Sequence, residues 1–175
     1  PTQYEGQECL NNVYYFGGLP NQQLIPGLQY MISKYSTYRD IYIIGSDYVY
    51  PRESAKIVQN YVKSTYPDHR IAHIKFYPLN GTDFKDFLDI LQQQSPEGAI
   101  IINLINGKSY YEFVKQLYHI KTASRQPKWS VYPVISFSIV HFDKEYLIYN
   151  RNHYFVTNFT DQLLSDQVYQ LYYKP

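Results

Sequence analysis

The segment Gly98–Leu104, GAIIINL, constrains this chain more than any other. A continuous apolar run of that length, with β-branched residues at its centre, suits a strand of a parallel sheet covered on both faces rather than a half-exposed strand. Parallel neighbours need crossover connections, so helices should flank it. The sequence supplies them. Val13–Phe16 (VYYF), Asp40–Ile44 (DIYII), Ile71–Tyr77, Val131–Phe137 and Tyr154–Thr157 read as further strands. Between them lie segments of helical period: Gln22–Tyr35, Pro51–Thr65, Asp83–Gln93 and Asp161–Tyr172. In the third, Phe84, Phe87, Leu88 and Leu91 recur at i, i+3, i+4 and i+7. A further helix follows the loop INGKS, where Ser109 and Glu112 have the spacing of a capping box. The fold class is therefore α/β, a mostly parallel sheet with helices on both faces. Ligands of such sheets sit beyond the carboxyl ends of the strands. The loops to inspect are Gly45–Pro51, Pro78–Thr82, Ile105–Ser109 and Ser136–His141.

Several function classes lose support at once. The 175 residues carry a net charge of +1, which gives no electrostatic argument for nucleic acid or for an anionic membrane. No apolar run approaches the ~20 residues needed to span a bilayer, and the start, PTQYEGQE, has no signal-peptide character. The single cysteine, Cys9, excludes an internal disulfide. Histidines 69, 73, 119, 141 and 153 do not fall at metal-ligand spacings, and GGLPNQQ lacks the lysine of a phosphate-binding loop. No nucleophile–base pair can be assembled, so the chain reads as a binder rather than an enzyme, with no cofactor and no metal. Asp47 and Glu53 flank a candidate ligand loop, but Glu53 is better read as favouring a helix N-terminus and Asp47 as a brace or cap. Asn80 and Asn158 begin glycosylation sequons that matter only in a secreted eukaryotic protein. The 22 tyrosines are mostly a compositional bias. Tyr48 and Tyr50 stand apart, because in GSDYVYPRES they follow a strand and precede a helix. Their rings could wall a small slot and their hydroxyls could meet a neutral polar solute.

In order along the chain, PTQYEGQE, NVYYFGGLPNQQ, IGSDYVYPRESA, PLNGTDF, INGKSYYEFVKQL and YPVISFSI resemble the type I periplasmic-binding fold. Within it they are similar to the branch that binds urea and short-chain amides. The resemblance implies one lobe of a bilobal receptor. Residues 1–36 would be a flanking part of the first lobe with the hinge crossing, 37–157 the second-lobe α/β domain, and 158–175 a return segment and helix. It also implies ligand contacts from Thr2, Tyr48, Tyr50 and Ser138. The partners would be a small polar solute and a membrane transporter or signalling protein, in an extracytoplasmic setting, although the branch also has a cytosolic sensor. The chain departs from the branch at Lys108, where an acidic residue is usual, and at Val140–Phe142. The stretch Asp143–His153 has no clear counterpart. The departures leave open a degenerate lobe that binds nothing and serves as an interaction scaffold or ectodomain, with a possible dimer.

Overall fold

The structure is a computed structural model that describes residues 19–123, 131–137, 149 and 152–156. Five strands, β1 (Asp40–Ser46), β2 (Arg70–Tyr77), β3 (Ile100–Leu104), β4 (Val134–Ser136) and β5 (His153–Phe155), form one sheet in the order β2-β1-β3-β4-β5. Every pairing is parallel. The helices are α1 (Pro20–Lys34), α2 (Val49–Thr65), α3 (Lys85–Gln94) and α4 (Lys108–Thr122).

Alternation along each strand divides the core into two layers. Ile41, Ile43, Ile100, Ile102 and Ile135 meet Leu24, Leu28 and Met31 of α1 and Ala55, Val58 and Val62 of α2. On the other face Tyr42, Ile44, Ile101 and Val134 meet Phe87, Leu88 and Leu91 of α3 and Phe113, Val114 and Leu117 of α4. Residues 99–105 are all buried, which is why that run contains so little polar sequence. Helix α1 packs on this same sheet, although its residues fall within the flanking segment 1–36 drawn from the resemblance.

Three local expectations are corrected. Ser109 does not cap α4; the N-cap is Gly107, at φ 64° and ψ −146°, and the Ser109 hydroxyl is buried without a hydrogen-bond partner among the described residues. The chain enters α4 through a left-handed turn that glycine adopts easily, and this places Ser109 inside the first turn. Glu53 does not serve the start of α2. That helix begins at Val49 and has no acid in its first turn, while Glu53 pairs with Lys56 at 2.7 Å. The strand expected over 131–137 narrows to Val134–Ser136, because Pro133 has no N–H for the ladder; the carbonyls of Val131 and Pro133 still accept bonds from Ala99 and Ile101. The expected strand at 13–16 and helix at 161–172 lie outside the described residues.

Candidate functional site

The order β2-β1-β3 makes the carboxyl ends of β1 and β3 a switch point, because the chain leaves them toward opposite faces of the sheet. After β1 it runs to α2 on one face, and after β3 to α4 on the other. The two outgoing loops diverge at this point, the position where sheets of this kind place a ligand crevice. Asp47 and Tyr48 form the first loop, and Ile105–Gly107 the second.

Gly45 sets how closely the first loop sits to the sheet. A Cβ there would lie 2.9 Å from the Pro51 Cβ, 3.2 Å from Phe76 and 3.3 Å from the Leu104 Cβ. Only a residue without a side chain lets the first turn of α2 rest directly on the ends of β1, β2 and β3. The backbone N–H of Asp47 then bonds the Tyr77 carbonyl at 2.7 Å, tying this loop to β2.

A polar seam crosses the ends of the strands. The Asn106 backbone N–H donates to the Ser46 hydroxyl at 3.0 Å, and its side-chain amide Nδ2 donates to the Tyr48 hydroxyl at 2.5 Å. One strand further, Asn103 Nδ2 donates to the Ser136 hydroxyl at 2.9 Å, while Asn103 Oδ1 accepts the Ile105 N–H at 3.1 Å. Ser46, Asn103 and Ser136 are buried, so these bonds satisfy groups that would otherwise be costly to desolvate. Tyr48 is 37% exposed and is the part of the seam that faces solvent. Partial burial raises its phenol pKa, as does neighbouring Tyr50, and the Asn106 amide acts in the opposite direction.

Beside the seam, Arg52 and Asp47 neutralise one another. Their side chains meet at 2.6 Å, and the guanidinium lies 4.8 Å from the centre of the Phe76 ring. The hydrogen bond from Arg52 holds the Asp47 carboxyl below its ordinary value, which suits a brace and not a proton acceptor near neutral pH. Lys108, the first residue of α4, is exposed. Among the described residues no group of three His, Cys, Asp or Glu side chains could hold a metal ion. No described helix is long and apolar enough to cross a membrane.

Of the residues singled out in the sequence, Tyr48 and Tyr50 are brought together, with ring centres 6.4 Å apart. They differ in environment: Tyr50 lies in the first turn of α2, half-buried against the core on that face, whereas Tyr48 is the N-cap. Thr2 and Ser138 lie outside the described residues. Sequence reasoning passed over Ser46, Asn103, Asn106 and Ser136. A signal was present at Asn103, an amide inside an otherwise apolar run, since a buried amide demands partners.

The profile of a family described as periplasmic binding protein domain matches residues 1–169. Solved structures with the same fold include an ABC-type branched-chain amino acid transporter protein from Rhodopseudomonas palustris CGA009, at 16% identity and TM-score 0.54 over 78% of this chain and 34% of that one. An amino acid ABC transporter substrate-binding protein from Pseudomonas fluorescens Pf-5 matches at 12% identity and TM-score 0.52, over 68% of this chain and 28% of that one. An R. palustris solute-binding protein in complex with benzoate matches at 12% identity and TM-score 0.51, over 67% of this chain and 29% of that one. The chain thus spans about one third of the length of the solved structures it matches.

Proposed function

Because this chain belongs to the periplasmic binding protein domain family, we propose that it is one lobe of a solute receptor that takes a small polar molecule, such as urea or a short-chain amide, at the carboxyl ends of β1 and β3. The observation that carries this reading is the seam itself. Tyr48, partly exposed, is held by Asn106 at the switch point, while the nearby Asp47 and Arg52 charges are spent on each other. A hydroxyl-bearing ring in such a crevice suits a neutral or weakly charged solute that needs hydrogen bonds along with an apolar wall. Tyr50 supports the ring wall from α2, and Thr2 and Ser138 are proposed as further contacts on the strength of the resemblance. The division of the chain into 1–36, 37–157 and 158–175 is proposed on the same basis. The receptor would act outside the cytoplasm and hand its closed state to a membrane transporter or a signalling partner.

The test is a thermal-shift screen of the full-length protein with urea, acetamide, leucine and benzoate. A ligand at 100 times its Kd adds about 2.7 kcal/mol of stability and so raises Tm. The joint Tyr48→Ala and Tyr50→Ala variant should fold and lose the shift. A shift that survives both changes would place the ligand elsewhere.

A second reading draws on exposed apolar side chains at the same end of the sheet, Val49 at 45% and Leu79 at 56%. There the lobe would have lost its ligand and would serve as an interaction scaffold. A folded full-length protein that responds to no solute and associates through this face would favour it.

A further inference from the structure

Each hydroxyl of the seam accepts an N–H. Ser46 accepts the Asn106 backbone, Tyr48 the Asn106 side chain and Ser136 the Asn103 side chain. A hydroxyl has two acceptor lone pairs and a single proton. A hydroxyl already engaged as an acceptor keeps that proton for another partner, and the bond it receives makes it a better donor. Ser46 and Ser136 are buried, so their protons stay inside the lobe. Tyr48 alone in this set is both polarised in this way and exposed to the crevice. Its phenol makes no other hydrogen bond among the described residues.

We infer that Asn106 is a positioning residue that fixes Tyr48 as a hydrogen-bond donor to the crevice, so that the site selects a solute by an acceptor oxygen, either a carbonyl or a carboxylate. The inference rests on the reading of Tyr48 as a ligand contact and adds the polarity of that contact. A solute offering only N–H donors at this point could use only the remaining lone pair of the phenol and would leave its proton unpaired, so it should bind more weakly than one with an acceptor oxygen. The same geometry orients the ring. Asn106 is held to β1 through its backbone bond to Ser46, so its side chain can restrain Tyr48 from a fixed base. Whether the oxygen belongs to an amide or an acid is settled by the probes below.

The experiment uses the full-length protein with tyrosine labelled at its ring Cζ, the Tyr48 resonance being assigned through Tyr48→Phe. Two variants, Asn106→Leu and Asn106→Asp, are titrated with base and with acetamide, acetate and ethylammonium. With Asn106 donating, Asn106→Leu removes a bond that favours phenolate, so the Tyr48 pKa must rise; Asn106→Asp raises it further and captures the phenol proton. Affinity for acetamide or acetate should fall about tenfold in Asn106→Asp, the worth of one hydrogen bond, and less in Asn106→Leu, where the proton stays available. Ethylammonium should bind the wild-type site more weakly than acetamide or acetate, and should not lose affinity in Asn106→Asp. A fall in the Tyr48 pKa in Asn106→Leu would mean that Tyr48 donates to Asn106, and the inference is overturned. Equal binding of every probe by Tyr48→Phe and by the wild type would instead remove the ligand reading, while the titration would still decide the direction of the bond.

Discussion

Replacing Asn103 by Ala tests whether the seam is what holds the crevice together. Asn103 is fully buried on β3, and its carboxamide makes two bonds: one donated to Ser136 on β4 at 2.9 Å and one accepted from the Ile105 N–H at 3.1 Å. Both partners are 1% exposed. Truncation therefore orphans a buried hydroxyl and a buried backbone N–H, each costing about 1–3 kcal/mol. The emptied volume adds to this, so the expected loss is about 3–5 kcal/mol. Ser136→Ala alone should cost less, about 1–2 kcal/mol, because only the Asn103 amide is left wanting. In the double variant the orphaned hydroxyl disappears, and the two losses should fall short of additivity by about 1 kcal/mol. Urea denaturation of the four proteins gives these differences. Hydrogen exchange at the Ile105 amide reads the local effect, which should be at least about tenfold faster in Asn103→Ala. If Asn103→Ala costs under about 1 kcal/mol and leaves Ile105 exchanging as before, the two bonds do not hold the loop and the account of the seam is wrong.

Further outcomes follow from other positions. Gly45→Ala should destabilise by about 1–3 kcal/mol through overpacking against Pro51, and should weaken the proposed solute binding by shifting Tyr48. Gly107→Ala meets nothing within 4 Å among the described residues, so its cost of about 1–3 kcal/mol should come from the backbone conformation alone; urea denaturation compares the two. Burial lowers the pKa of Lys121, 5% exposed, to about 7. Between that value and the ordinary 10.5 the unfolded chain binds the extra proton, so stability should rise as pH increases through this window. Lys121→Met should abolish that rise and stabilise the protein near neutral pH by roughly 1–4 kcal/mol, read from Tm against pH. Asp40 is held below its ordinary pKa chiefly by Arg70, with Ser95 adding a second bond. Its contribution is present above the unfolded value and is lost as pH falls through the depressed one. Arg70→Ala should remove up to about 1 kcal/mol of stability at pH 7 and reduce the loss on acidification, as measured by denaturation across that pH range.

The elements of this chain were readable in the sequence because their signals are local. The helix at 85–94 shows itself through Phe84, Phe87, Leu88 and Leu91, all of which are buried. The strand at 100–104 shows itself through an uninterrupted apolar run. The ends of elements were less readable. A capping box at Ser109 and Glu112 is a real preference, yet a glycine two residues earlier took the cap, because the turn entering α4 needs a positive φ. Tyr48 and Tyr50 were found as candidates because they are tyrosines between a strand and a helix, a feature of order along the chain. Their different burial could not be read that way.

From the sequence alone come the fold class, the choice of the carboxyl ends of parallel strands as the place to seek a ligand, and the two tyrosines proposed as its contacts. All of these depend on period, composition and neighbour order. Tertiary structure decided which strands are adjacent and therefore which polar groups meet. Asn106 bonds Ser46 and Tyr48 from 60 and 58 residues away, and Asn103 bonds Ser136 from 33. A hydrogen bond requires its partners within about 3 Å. No one-dimensional pattern encodes that proximity; it exists because β1 and β4 both pack beside β3.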